Sequence, residues 1–255
     1  MLMVLSPSKT MDYETPAKTE NYTIPDHLEN SAELVKVVKK KKSLDLMSLM
    51  QISNKIADLN VKRFNNWHLP FDKYNSKQAV LAFKGDVYSG LDASTLDEDK
   101  LDYAQKHLRI ISGLYGLLRP LDLMQPYRLE MGLKLKTSKG ENLYEFWGEK
   151  ITNTLNSLLE KEDEPVLINL ASNEYFRSIK TDRLNCRLIT PEFKEFKNGK
   201  YKMISFFAKK ARGMMARYSI DNKLKSPDDL RNFDYDGYLY NKVLSNADNW
   251  VFCRG

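Results

Sequence analysis

Four short apolar runs, each broken off by turn formers and reactive polar residues, constrain what this chain can fold into more than any other feature. Leu2–Leu5 runs into Ser6-Pro7-Ser8-Lys9-Thr10, and residues 79–83 run into Lys84-Gly85-Asp86-Val87-Tyr88-Ser89-Gly90. Residues 108–111 run into Ser112-Gly113-Leu114-Tyr115-Gly116, and Val166–Leu170 into Ala171-Ser172-Asn173-Glu174-Tyr175. Bulky and β-branched residues over so few positions have strand length, and the turn formers mark the strand ends. Helical spacing occupies the intervals, notably 31–38 and 142–159. Strands alternating with helices predict a mixed α/β fold, a central sheet with parallel pairs covered by helices. In such sheets ligands lie beyond the carboxyl ends of the strands, where successive loops gather. Ser6, Lys9, Asp86, Tyr88, Tyr115, Asn173 and Glu174 are therefore expected toward one region. Each also has an ordinary role open to it: Gly85 and Gly90 serve turns, Asn173 caps a helix, and the tyrosines fill core with a wet hydroxyl.

The stretch 208–218, Ala-Lys-Lys-Ala-Arg-Gly-Met-Met-Ala-Arg-Tyr, adds a chemical signal. At about 100° per residue, Ala208, Ala211, Met214, Met215 and Tyr218 share one helix face, and Lys209, Lys210, Arg212 and Arg217 share the other. Gly213 and Ala216 lie between them and leave the backbone open to close approach. No acid relieves the cationic face until Asp221. Glycine inside a helix costs about 1 kcal/mol relative to alanine, and like charges on one face repel, so helix formation alone does not account for the pattern. A polyanion laid along the face does. A solvated surface helix is the plain alternative.

Charge supports the polyanion. Lys and Arg number 40 against 34 Asp and Glu, a formal +6, and the sequence pI is about 9.0, a balance that favours nucleic-acid or anionic-surface partners without bearing on fold. The 255 residues carry 42% hydrophobic and 29% charged residues, an ordinary globular composition that can build a large core. The Pro-spaced stretch 12–25 is a long loop and 39–42 a short lysine run. Neither is a domain spacer, so a single domain over 1–255 is expected.

Cys186 and Cys253 stand far apart, as do His27, His68 and His107. Neither a disulfide framework nor a metal site is expected, and no cofactor motif is present. The loop Ser6–Thr10 lacks the glycines that let backbone amides cradle phosphate, and Gly113-Leu114-Tyr115-Gly116 has the wrong spacing for dinucleotides. The apolar start Met1 to Leu5 has no cationic leader and breaks at Ser6-Pro7, so no secretory signal is read there. No apolar run nears the roughly 20 residues needed to cross a bilayer. A cytoplasmic monomer with no membrane partner is expected.

Two short amphipathic segments, 44–49 and 55–64, are joined by Met50-Gln51-Ile52-Ser53-Asn54. The pattern Leu49 to Ala57 resembles the helix-hairpin-helix motif of DNA-binding proteins, placing such an element at about 44–64. There the second helix offers backbone amides to a phosphate, fixing position without reading sequence. Gln51 and Ser53 replace the motif's two glycines, while Lys55, Lys62 and Arg63 accompany it. A plain pair of antiparallel helices is the other possibility.

Several longer blocks carry a family resemblance. They are Leu5-Ser6-Pro7-Ser8-Lys9-Thr10-Met11, Phe83 to Tyr88, Ser112 to Asp122, Gln125 to Gly132, Phe146-Trp147-Gly148, Asn169-Leu170-Ala171-Ser172 and Ala208 to Gly213. With these blocks the whole chain resembles the YaaA family of peroxide stress resistance proteins. The resemblance implies a cytoplasmic bacterial protein that helps cells survive hydrogen peroxide by limiting free iron and so Fenton damage to DNA. It further implies a compact mixed α/β fold with a positively charged cleft, an embedded helix-hairpin-helix and binding to double-stranded DNA. It establishes no enzymatic reaction.

Two functions of different class follow. The first is a DNA-binding stress protein, selective for shape or damage, whose phosphates are held by Lys209, Lys210, Arg212 and Arg217 with Lys9, Lys55 and Arg128. The second is an enzyme acting on a nucleobase or nucleoside, for which Asp86 and Glu174 are candidate acid and base. Ser6 joins them as a catalytic candidate, and Tyr88 and Tyr115 are candidates to stack on an extruded base. Direct iron sequestration would need a carboxylate site, since no Cys/His cluster is available.

Overall fold

In the computed structural model, which describes residues 1–255, Leu2–Leu5 is the strand around which the molecule is built. It runs parallel to Leu108–Ser112 on one side and to Val166–Leu170 on the other. Every residue of the three strands is buried. That explains their largely apolar character, because a parallel strand covered on both faces has no polar side to alternate with; Arg109, Ser112 and Asn169 are the buried polar exceptions. The sheet continues through parallel Arg187–Lys197 and Asn249–Arg254. Antiparallel Leu239–Tyr240 and Gly116–Leu118 close its two edges, and Lys200–Lys202 folds back on Arg187–Lys197 as a hairpin. One contiguous core of 66 buried residues joins sheet and helices, so no internal boundary divides the chain. No helix is long and apolar enough to cross a membrane.

The stretch 79–83, expected as a strand, is a turn of helix, Ala79–Ala82, followed by the two-residue strand Phe83–Lys84. Short apolar runs buried all round carry no period that separates the two states, and Ala79 and Ala82 favour the helix. Phe83 and Lys84 pair antiparallel with Met11 and Thr10, which ties the loop after the first strand to the segment beginning at Gly85. The helical pattern 142–159 is two helices, Leu143–Trp147 and Lys150–Leu159, interrupted at Gly148. Ser43–Met50 and Asn54–Asn66 are two helices packed on one another, with Gln51 between them in the left-handed region at φ 52°.

The longest helix, Ser205–Asp221, lies against Asp86–Leu91 at a distance only glycine allows. A Cβ on Gly213 would fall 1.8 Å from the carbonyl oxygen of Val87, and one on Gly90 would fall 2.2 Å from that of Lys210. Two glycines, one on each helix, thus let the backbones touch, and their contact fixes where Lys209 and Arg212 stand relative to Asp86. Gly213 serves packing between helices rather than approach by a ligand, and Ala216 is fully buried as well.

Candidate functional site

Register assembles the site. Leu5 pairs with Leu170, so the loops beginning at Ser6 and Ala171 emerge side by side. Ser6 Oγ accepts a hydrogen bond from the Ser172 amide at 2.9 Å and donates to Ser172 Oγ at 3.3 Å. The Lys84–Tyr88 segment joins through its ribbon with Thr10 and Met11, and the long helix completes the wall. The result is a cleft of about 790 Å³ at the carboxyl ends of the parallel strands. Ser6, Ser8, Lys9, Asp86, Tyr88, Asn173, Glu174, Met203, Lys209 and Arg212 are among its lining residues. Six of the seven loop residues expected to gather are there, and the basic helix borders the same space. Strand-end loops and cationic helix are therefore one site.

Tyr115 is the exception. Its ring is fully buried, its hydroxyl accepts from Trp67 Nε1 at 3.1 Å and from the Gln125 amide at 3.0 Å, and it donates to the Gln125 carbonyl. It therefore does not meet a base in this cleft. Burial pushes its phenol far above the ordinary value of 10.0. Tyr115→Phe is expected to lower stability by about 1–3 kcal/mol by orphaning those partners and to leave ligand binding unchanged, as urea unfolding beside a binding titration will show. Tyr88 borders the cleft, but its buried hydroxyl donates to the Ser6 carbonyl at 3.0 Å and holds the loop.

The cations divide sharply. Arg217 is not on an open face: its Nε lies 2.8 Å from Asp221 Oδ2, and its Nη1 donates to the Asp92 carbonyl and, at 2.6 Å, to Thr95 Oγ1. Lys100 holds the other oxygen of Asp221 at 2.8 Å. Arg128 is likewise engaged, with Nη2 2.9 Å from the mostly buried Glu130 carboxylate. Lys210 is half-buried and outside the cleft, and Lys55 is exposed on the helix pair, also outside it. Lys9, Lys209 and Arg212 remain to face the cleft. Lys9 is exposed and has a loose 3.4 Å contact to Glu130, and Lys209 is exposed with no ion pair. Arg212 is half-buried and makes neither an ion pair nor a hydrogen bond, and its Nε is buried with no partner. Burial pulls its guanidinium below the ordinary value for an arginine.

Two carboxylates share the cleft. Asp86 makes no hydrogen bond or ion pair through its side chain, whereas Glu174 Oε1 accepts from the Gly132 amide at 3.1 Å. Cations on the helix wall and acids on the loops line one cleft, which suits a ligand with an anionic end and a hydrogen-bonding end. Among the residues missed by sequence reasoning are Ser8, Ser172 and Met203. Ser8 and Ser172 were visible as parts of the strand-end loops, while nothing local marks Met203. A second cavity of about 470 Å³ lies beside Arg63, His68 and Tyr74, and none of the expected site residues lines it. No group of three or more His, Cys, Asp or Glu side chains is placed to hold a metal.

The Asp221 network makes stability depend on acid. Burial alone raises this carboxyl, and the hydrogen bonds from Lys100 and Arg217 more than offset it, holding it below its ordinary 3.8. A depressed carboxyl contributes stability that is complete above the ordinary value and is lost as pH falls through the folded value. Asp221→Asn is expected to unfold at lower temperature at pH 7, with the gap from the parent protein closing below pH 3.8. Melting curves across that range will test it.

A family model described as Peroxide stress protein YaaA matches residues 1–244. The chain is 54% identical over 254 residues to a UPF0246 protein of Hahella chejuensis (strain KCTC 2396), a match covering 100% of this chain and 99% of the relative. It is 55% identical over 254 residues to a UPF0246 protein of Shewanella loihica (strain ATCC BAA-1088 / PV-4), covering 100% and 98%. A UPF0246 protein of Aliivibrio fischeri (strain ATCC 700601 / ES114) is 54% identical over 254 residues, again covering 100% and 98%.

Proposed function

The chain belongs to the peroxide stress protein YaaA family, and on that premise we propose that its strand-end cleft is the phosphate-gripping part of a DNA-binding surface used in the hydrogen peroxide response. The observation that carries this is Arg212, a half-buried guanidinium with no partner among the protein's own groups. Desolvating a charge without pairing it is costly, and an incoming phosphate provides the missing partner in charge-assisted form. Lys209 lies one turn away on the same helix wall, and Lys9 faces them from the loop after the first strand. The paired helices 43–66, with exposed Lys55, give a second place for the duplex backbone to rest. Protection of DNA and limitation of intracellular free iron under peroxide are the cellular role this reading assigns to that binding.

A fluorescein-labelled duplex titrated with the protein tests it. Three phosphate contacts give a slope of log affinity against log salt near −2.7, about a 40-fold loss between 50 and 200 mM. Absence of duplex binding at low salt rejects the proposal.

A second reading is favoured by Asp86. An unpaired carboxylate beside a phosphate site is placed to act on a sugar or base held there, with Glu174 across the cleft. Base release or strand scission from damaged duplexes, lost in Asp86→Asn, would support it.

A further inference from the structure

The acid-free stretch extends well beyond the basic helix: no Asp or Glu occurs between Glu195 and Asp221. Its first part is a β-hairpin. Phe196 pairs across the strands with Tyr201 and Lys197 with Lys200, around a turn in which Asn198 and Gly199 both have positive φ, 54° and 75°. Such an Asn-Gly turn matches the right-handed strand twist and fixes the register. From Phe196 to Met203 every residue is exposed. Phe196 is 51%, Tyr201 38% and Met203 61% exposed, on one face of the ribbon by its alternation, with the Phe196 and Tyr201 rings 5.2 Å apart at 63°. Lys197, Lys200 and Lys202 occupy the other face, and none of them makes an ion pair. A bare ribbon is about one strand spacing wide, so long lysine stems reach around its edge.

Exposed aromatic rings beside unpaired lysines lose solubility without gaining packing, unless something flat and anionic covers them. The ribbon also leads into the cleft: Met203 and Ser205 line it together with Lys209 and Arg212. We propose that this hairpin is a stacking platform for unpaired nucleobases, so that the protein grips DNA where a strand has left the duplex. A phosphate sits at Lys209 and Arg212, and the adjoining bases stack on Tyr201 and Phe196. Every base has a π-face, so stacking is tolerant of sequence. The proposal rests on the phosphate site above and specifies which form of DNA reaches it.

The test is anisotropy with a short fluorescein-labelled oligothymidylate and an abasic strand of equal length and charge. The parent protein, Phe196→Ala/Tyr201→Ala and Tyr201→Phe are compared, with melting curves confirming that the exposed substitutions leave the fold intact. The parent protein and Tyr201→Phe are expected to hold oligothymidylate at least about tenfold tighter than the abasic strand. The double variant should bind both strands equally, at the abasic level. Equal binding of both strands by the parent protein, or an undiminished preference in the double variant, overturns the platform while leaving the phosphate site standing. Failure to bind any strand or duplex removes both. Partitioning onto phosphatidylserine vesicles that the double variant loses, with its oligonucleotide binding unchanged, assigns the patch to a membrane and likewise overturns the proposal.

Discussion

Gly213→Ala is expected to destabilise the protein by about 3 kcal/mol, lowering the melting temperature by roughly 10 °C. Helix propensity predicts the opposite sign, since alanine in place of glycine inside a helix is favourable by about 1 kcal/mol. The two effects are unequal because the added methyl would sit 1.8 Å from the Val87 carbonyl oxygen and 2.9 Å from the Leu91 amide nitrogen. Both are backbone atoms that no rotamer change can move. The helix pair must separate, and separation draws Lys209 and Arg212 away from Asp86. Gly90→Ala should behave alike, meeting the Lys210 carbonyl at 2.2 Å. Chemical denaturation of both variants checks the sign, and a stabilised Gly213→Ala would show that the helices do not touch there.

The second large effect concerns binding. Lys209→Glu with Arg212→Glu is expected to weaken duplex affinity by about 100-fold or more, because two charge-assisted contacts are lost and replaced by repulsion. Arg217→Gln provides the contrast. It should lower stability, since its guanidinium braces Asp221 and Thr95, while leaving affinity close to the parent value. An equal loss of affinity in both variants would restore a cationic strip along the whole helix as the binding element.

Interior parallel strands were legible because burial on both faces removes the need for polar residues, and Leu2–Leu5 and Val166–Leu170 run in sequence from end to end as they do in the fold. Convergence of their loops followed from topology, which is why Ser6, Lys9 and Glu174 were found together, whereas Asp86 joins them through the separate ribbon of Phe83–Lys84 with Thr10–Met11. What failed was side-chain direction and long-range pairing. Tyr115 follows a strand end like the others, yet the chain reverses at Gly116 into the edge strand Gly116–Leu118 and its ring turns inward to Trp67. Arg217 looked free on a helical wheel, although Asp221 four residues on is within i,i+4 reach. Its remaining partners, Leu91, Asp92 and Thr95, come from a segment more than a hundred residues earlier. Gly213 signalled a close approach, but the partner, Val87, is equally remote in sequence. The hairpin at Asn198-Gly199 was readable from its turn dipeptide between Phe196 and Tyr201.

Arg212 as an unpaired guanidinium awaiting phosphate is the point on which the functional account turns, and the salt dependence of duplex affinity reports on it directly. Arg212→Gln removes the charge without reversing it and keeps hydrogen-bonding capacity. Its log affinity against log salt should be shallower than the parent slope by about 0.9, one phosphate fewer. An identical slope in the two proteins, with melting curves showing both folded, would contradict the account.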